Sequence, residues 1–234
     1  MLFRSSGGSR AVELGLITLK GTKNLANIMF SLGVITAVGI LYLSFLNTGS
    51  TSNLINSALI AIIGVLIGYF YTAKPIRLSS LYGLGELSIF LAFGPLLTLG
   101  TGFAISNDTI GLFTSEFYNL LILGIPIGLL TTNILFINQY PDYTSDKEVG
   151  KNNLVVLLGK KSSRWVYALN LAIAVGSLYY ISENIISASQ STLFIFLLIP
   201  ITMLYAFYLV TGLFKNYESR SLIKYRSEEH TSEL

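Results

Sequence analysis

Six long runs free of Asp, Glu, Lys and Arg constrain this chain more than any other feature: residues 25–46, 54–73, 87–107, 117–141, 165–182 and 184–214. A hydrocarbon core about 30 Å thick takes roughly 20 mostly apolar helical residues, and each run is of that size. Barrel strands would alternate with period two, whereas these runs are apolar on every side. The expected fold is therefore all-α, a polytopic transmembrane bundle with six spans. Composition agrees. Only 12% of the 234 residues are charged, about half the usual share of roughly 25%, and mean hydropathy is +0.65. A soluble enzyme, a disordered chain and a nucleic-acid binder are excluded, despite a pI near 9.0. Cysteine is absent and the one histidine, His230, lies in the terminal tail, so thiolate and imidazole chemistry have no place inside the bundle. Arg4 and Arg10 flank a Gly/Ser stretch with no apolar region between them, unlike a signal peptide.

The loops give an orientation. All fifteen Lys and Arg fall in segments 1–24, 74–86, 142–164 and 215–226. Segments 47–53 and 108–116 and the turn at Glu183 carry none. With six spans these groups alternate from side to side without exception. The positive-inside rule makes the basic side cytoplasmic, with both termini.

Candidate chemistry gathers on that side. Asn138-Gln139-Tyr140-Pro141-Asp142-Tyr143-Thr144-Ser145-Asp146 ends the fourth span. Asn138, Asp142 and Asp146 are four apart and share one face if the helix continues, since Pro141 is tolerated early in a helical turn. A carboxamide and two carboxylates are hard oxygen donors suited to Mg²⁺, which shares its shell with substrate phosphates. Lys147, Lys151, Lys160 and Lys161 follow and offer ammonium groups to phosphate oxygens. The same residues also suit a solvated loop whose acids pair with its lysines.

A second group, Tyr71, Lys74 and Arg77, ends the second span. Its members are three apart, and Arg binds phosphate in a bidentate way. Interfacial anchoring by aromatic and basic side chains explains the same pattern. Glu86 opens the third span, either as a costly buried carboxylate or as a first-turn Glu favoured by the helix dipole. Thr131, Thr132 and Asn133 lie deep in the fourth span, where they either line a cavity or, as expected, hydrogen-bond to a neighbouring helix. Ser5–Arg10 is a flexible Gly-rich stretch able to wrap an anion.

These segments carry a resemblance. N-Q-Y-P-D-Y-T-S-D-K-E-V-G-K-N-N-L-V-V-L-L-G, residues 138–159, resembles the second aspartate-rich motif of the UbiA superfamily of intramembrane prenyltransferases. Y-T-A-K-P-I-R-L…G-L-G-E-L…F-G-P, residues 71–95, is similar to the loop and helix between that family's fourth and fifth spans. S-G-G-S-R, residues 6–10, resembles the segment after its first aspartate-rich motif. Within that superfamily the sequence most resembles the 1,4-dihydroxy-2-naphthoate prenyltransferases of menaquinone synthesis.

The resemblance implies a nine-helix bundle in the cell (inner) membrane, Mg²⁺ as cofactor, and transfer of a polyprenyl group from its diphosphate to an aromatic acceptor. Asn138, Asp142 and Asp146 would be the metal ligands, and Tyr71, Lys74, Arg77, Lys147 and Lys151 would hold the diphosphate. Acceptors such as 4-hydroxybenzoate, chlorophyllide or glyceryl phosphate stay open. The family's first N-x-x-x-D-x-x-x-D has no counterpart here. Residues 1–225 are accordingly expected to be a partial domain matching the family's third to eighth spans, inactive alone. Residues 226–234, R-S-E-E-H-T-S-E-L, resemble a translated adapter oligonucleotide. Two other classes compete. A secondary transporter would want ionisable groups at mid-membrane, which these spans lack. A non-catalytic membrane subunit is the third class, and it fits the partial chain taken by itself.

Overall fold

The computed structural model describes residues 12, 15–106, 109–186 and 194–218. The Ser5–Arg10 stretch, Asp108, His230 and the 226–234 tail lie outside the described residues. The helices are α1 (Leu19–Thr48), α2 (Thr51–Thr72), α3 (Leu84–Phe93), α4 (Pro95–Ile105), α5 (Ser115–Glu148), α6 (Leu154–Asn184) and α7 (Ile199–Asn216). A short 3₁₀ turn, Leu78–Ser80, precedes α3, and a π turn, Phe194–Leu198, leads into α7. No strand occurs among the described residues.

The helices α1, α2, α5 and α6 each start where a polar side chain takes up an orphan amide. Thr18 accepts from Gly21 N at 3.0 Å, Ser50 from Asn53 N at 3.3 Å, Thr114 from Phe117 N at 3.4 Å and Asn153 from Val156 N at 2.9 Å. Gly49 closes α1 at φ +66°, a left-handed conformation that costs glycine little.

Six spans are long and apolar enough to cross a membrane, with α3 and α4 together making one of them. The burial pattern fits lipid as the outer solvent. Ile, Leu and Phe side chains line the exposed surface of α1, α2 and α7, while Asn53, Ser88, Asn133, Gln139, Asp142 and Asp146 are buried. Lipid rewards outward apolar groups and requires polar ones to find partners inside. The protein is thus a multi-pass membrane helix bundle. Its core joins Phe136 and Tyr140 of α5 to Val155, Tyr167 and Leu171 of α6 and Leu213 of α7.

The structure moves several boundaries. The third span is broken: α3 ends at Phe93 and α4 begins at Pro95, with Gly94 between them at φ −105° and ψ −106° and the proline in the first turn of the second piece, where it is best accommodated. The fourth span does not stop at residue 141. The α5 helix runs through Pro141 to Glu148, so most of the expected loop 142–164 is helical and only residues 149–153 connect α5 to α6. The α6 helix bends at Gly159 (φ +76°) and already contains Lys160, Lys161 and Glu183. Residues 187–193 of the sixth run lie outside the described residues. Thr131 and Thr132 turn back to Ile127 O and Gly128 O of their own helix, both at 2.8 Å. Asn133 bridges to α6: it donates to Tyr167 O at 3.0 Å and accepts from Asn170 at 3.0 Å.

Candidate functional site

Because α5 continues past Pro141, Asn138, Asp142 and Asp146 stand on successive turns of one face. Asp142 and Asp146 are 5% and 1% exposed, and Asn138 is half-buried. A solvated loop whose acids pair casually with its lysines does not describe this. One lysine does join them, with specific geometry: Lys151 Nζ lies 2.9 Å from Asp146 Oδ2. The same oxygen accepts from Asn153 Nδ2 at 2.8 Å. The turn is held by Lys151 N donating to Asp146 O at 2.9 Å. Asn153 therefore does two jobs, capping α6 with Oδ1 and holding Asp146 with Nδ2.

Beside this pair lies a second buried group. Glu86 is 3% exposed, so it is the buried carboxylate and not an exposed first-turn residue. Its Oε1 accepts from Gln139 Nε2 at 2.7 Å and from Leu154 N at 3.0 Å. Asn152 N donates to Ser80 O at 3.2 Å, which brings the 3₁₀ turn against the α5–α6 connection. Close packing supports the approach: a Cβ on Gly83 would stand 2.7 Å from a Leu154 methyl.

Tyr71, at the end of α2, is half-buried and within electrostatic reach of Glu86. Lys74 and Arg77 are exposed, and no hydrogen bond or ion pair joins them to the carboxylates among the described residues. Arg77 has φ +50°, which aims the turn but costs a non-glycine residue about 1–2 kcal/mol. Lys147 is exposed, its Nζ 5.9 Å from the centroid of the Tyr143 ring. Lys160 approaches that ring from α6, at 5.6 Å.

Sequence reasoning gave Gln139 and Asn153 no role. Asn153 carried a usable signal, an Asn just before an apolar helical run. Gln139 carried none beyond lying three residues before Asp142.

The chemistry available here is that of buried oxygen donors beside one held ammonium group, at one end of a lipid-facing bundle. That defines a polytopic membrane protein with a buried polar cluster built on a helix end. The UbiA prenyltransferase family model matches residues 9–227, and the chain belongs to that family. Among curated relatives, a 1,4-dihydroxy-2-naphthoate octaprenyltransferase of Bacillus subtilis is 30% identical over 61% of this chain and 43% of its own length. A 2-carboxy-1,4-naphthoquinone phytyltransferase of Synechocystis is 33% identical over 51% of this chain and 35% of its own. A 1,4-dihydroxy-2-naphthoate octaprenyltransferase of Haemophilus influenzae is 26% identical over 82% of this chain and 58% of its own. In each case the match spans less than two thirds of the relative. No solved structure is significantly similar.

Proposed function

We propose that the whole protein transfers a polyprenyl group from polyprenyl diphosphate to an aromatic acceptor, 1,4-dihydroxy-2-naphthoate in menaquinone synthesis. The observation that carries this reading is the buried Asp142–Asp146 pair, with Lys151 held 2.9 Å from Asp146, on a bundle whose outer surface suits lipid. A prenyl diphosphate has the matching halves, a charged head for the polar cluster and an apolar tail for the bilayer side.

The donor set fits Mg²⁺. Asp142, Asp146 and Asn138 offer hard oxygens on one helix face. Among the described residues no group of three or more His, Cys, Asp and Glu converges on a metal. Such a set suits an ion that completes its shell with diphosphate oxygens and water. Bound there, Mg²⁺ would neutralise the charge that develops on the departing diphosphate. The chain's own residues do the rest. Lys151, freed from Asp146, meets phosphate oxygens, and Tyr71, Lys74, Arg77 and Lys147 stand on the same side to add donors. Apolar helices exclude water while the allylic C–O bond breaks, the diphosphate leaves with the electron pair, the electron-rich ring forms the new C–C bond, and the attacked ring carbon loses a proton, or its carboxyl group as CO₂, to restore aromaticity. The test is prenyl transfer by the full-length protein in lipid vesicles with labelled prenyl diphosphate and dihydroxynaphthoate. Product above an empty-vesicle control supports the reading. Its absence, with ion-coupled uptake of a solute instead, would favour a transporter.

The basic side, and with it this cluster, is assigned to the cytoplasm of a cell whose inner membrane holds the protein. A reporter fused after Tyr225 is expected to read cytoplasmic, and one inserted near Thr51 to read outside. The opposite pattern would overturn the sidedness of the active cluster.

A further inference from the structure

We propose that Glu86 is a positioning residue for the carboxylates of α5, its one carboxyl oxygen locking the starts of α3 and α6 to the end of α5 and so setting where Asp142 and Asp146 stand. The inference rests on the diphosphate reading above and deepens it.

The bonds form a closed path. Glu86 Oε1 accepts from Gln139 Nε2 at 2.7 Å, and Gln139 lies one turn before Asp142 on α5. The same oxygen accepts from Leu154 N at 3.0 Å, and the residue before Leu154 is Asn153. Asn153 Nδ2 donates to Asp146 Oδ2 at 2.8 Å, which returns the path to α5. Removing Glu86 opens the path on both sides at once. The α5 end loses its brace at Gln139, and the α6 cap that carries Asn153 loses its anchor.

Fold stability alone is a poor account of this carboxylate. Glu86 has no ion-pair partner among the described residues, and burying a carboxylate without one is costly. Its Oε2 and the Oε1 of Gln139 are both buried without a hydrogen-bond partner, although nearly all such atoms in proteins find one. A cluster selected only to glue helices together would be better served by apolar side chains. Partners that hydrogen-bond a metal-binding carboxylate typically change metal affinity by about 10–100-fold when removed; Asn153 is such a partner of Asp146, and Glu86 anchors the helix start that carries it.

The experiment uses the full chain in detergent micelles, with Mn²⁺ plus inorganic pyrophosphate as probe, read by electron paramagnetic resonance alongside thermal unfolding. Glu86→Ala is expected to weaken binding about 10-fold or more. Glu86→Gln, which keeps an acceptor oxygen for Leu154 N, is expected to restore most of it. Asn53→Ala is the control: Asn53 is buried at the other end of α2 and accepts from Ile110 N at 3.1 Å. It is expected to lower the unfolding temperature and leave affinity unchanged. Wild-type affinity in Glu86→Ala overturns the proposal, as does an equal loss in Glu86→Ala and Asn53→Ala that simply follows stability. Absence of wild-type binding, or binding indifferent to Asp142→Asn with Asp146→Asn, overturns the diphosphate reading itself.

Discussion

Asp142→Ala and Asp146→Ala are each expected to slow prenyl transfer by the full-length protein roughly 100-fold or more, because a carboxylate that holds a catalytic cation contributes several kcal/mol of transition-state stabilisation. The control on the same helix is Glu116→Gln. Glu116 is exposed in the first turn of α5, about 45 Å from Asp146 at 1.5 Å per residue, and its removal is expected to leave the rate within about twofold, as for other surface changes. The two aspartates differ in what else they do. Asp146 also holds Lys151 and Asn153, so Asp146→Ala strands a largely buried ammonium group and loosens the α5–α6 turn. Asp146→Asn keeps an acceptor oxygen for both neighbours and removes only the charge. A rate loss in Asp146→Asn with unchanged unfolding temperature would mark electrostatics and not folding as the cause. Near-normal turnover of Asp142→Ala at limiting Mg²⁺ would remove the metal role.

The number and order of spans were legible because lipid imposes its rule on every residue of a span. Helix ends were not, since composition marks where the bilayer stops and not where hydrogen bonding stops. With 34 residues, α5 is about 50 Å long at 1.5 Å per residue, well beyond a hydrocarbon core of about 30 Å. Its last two turns are polar and still helical. That extension places Asp142 and Asp146 on a rigid face instead of a loop, which the four-residue spacing anticipated only conditionally. Glu86 was undecided for a different reason. Its burial depends on Gln139 and Leu154, 53 and 68 positions away, and periodicity carries no information about such pairings. The fate of Lys151 was partly visible, as a lysine soon after two acids. That it pairs with Asp146 while Lys147 stands by Tyr143 follows from the turn at 149–153, whose path the sequence did not reveal.

Gly124→Ala and Gly128→Ala are expected to destabilise the bundle by about 1–3 kcal/mol each, the usual cost of forcing extra atoms into a packed contact, read as a fall in unfolding temperature in micelles. The two glycines form a G-x-x-x-G pair on α5, and small residues at that spacing let helix backbones approach closely in membranes. What approaches them is the break between α3 and α4. A Cβ on Gly124 would lie 2.6 Å from Gly94 C and Pro95 N, and one on Gly128 would lie 2.5 Å from Phe90 O. These are backbone atoms, so no side chain can swing aside. Gly94 faces the same crowding, 2.6 Å from Gly124 O. Gly176 supplies the opposite case in α6: it is exposed, and a Cβ there meets nothing within 4 Å. Gly176→Ala is therefore expected to raise stability by up to about 1 kcal/mol, the helix-propensity difference between the two residues. Equal effects at the two sites would mean that the α3–α4 break does not dock on α5 in this way. The docking also matters for the site, because Glu86, in the first turn of α3, lies only eight residues before Gly94. Displacing α3 from Gly128 shifts the carboxylate that braces Gln139 and Leu154. Gly128→Ala should then weaken metal–pyrophosphate binding as well as stability, whereas Gly176→Ala should leave binding untouched.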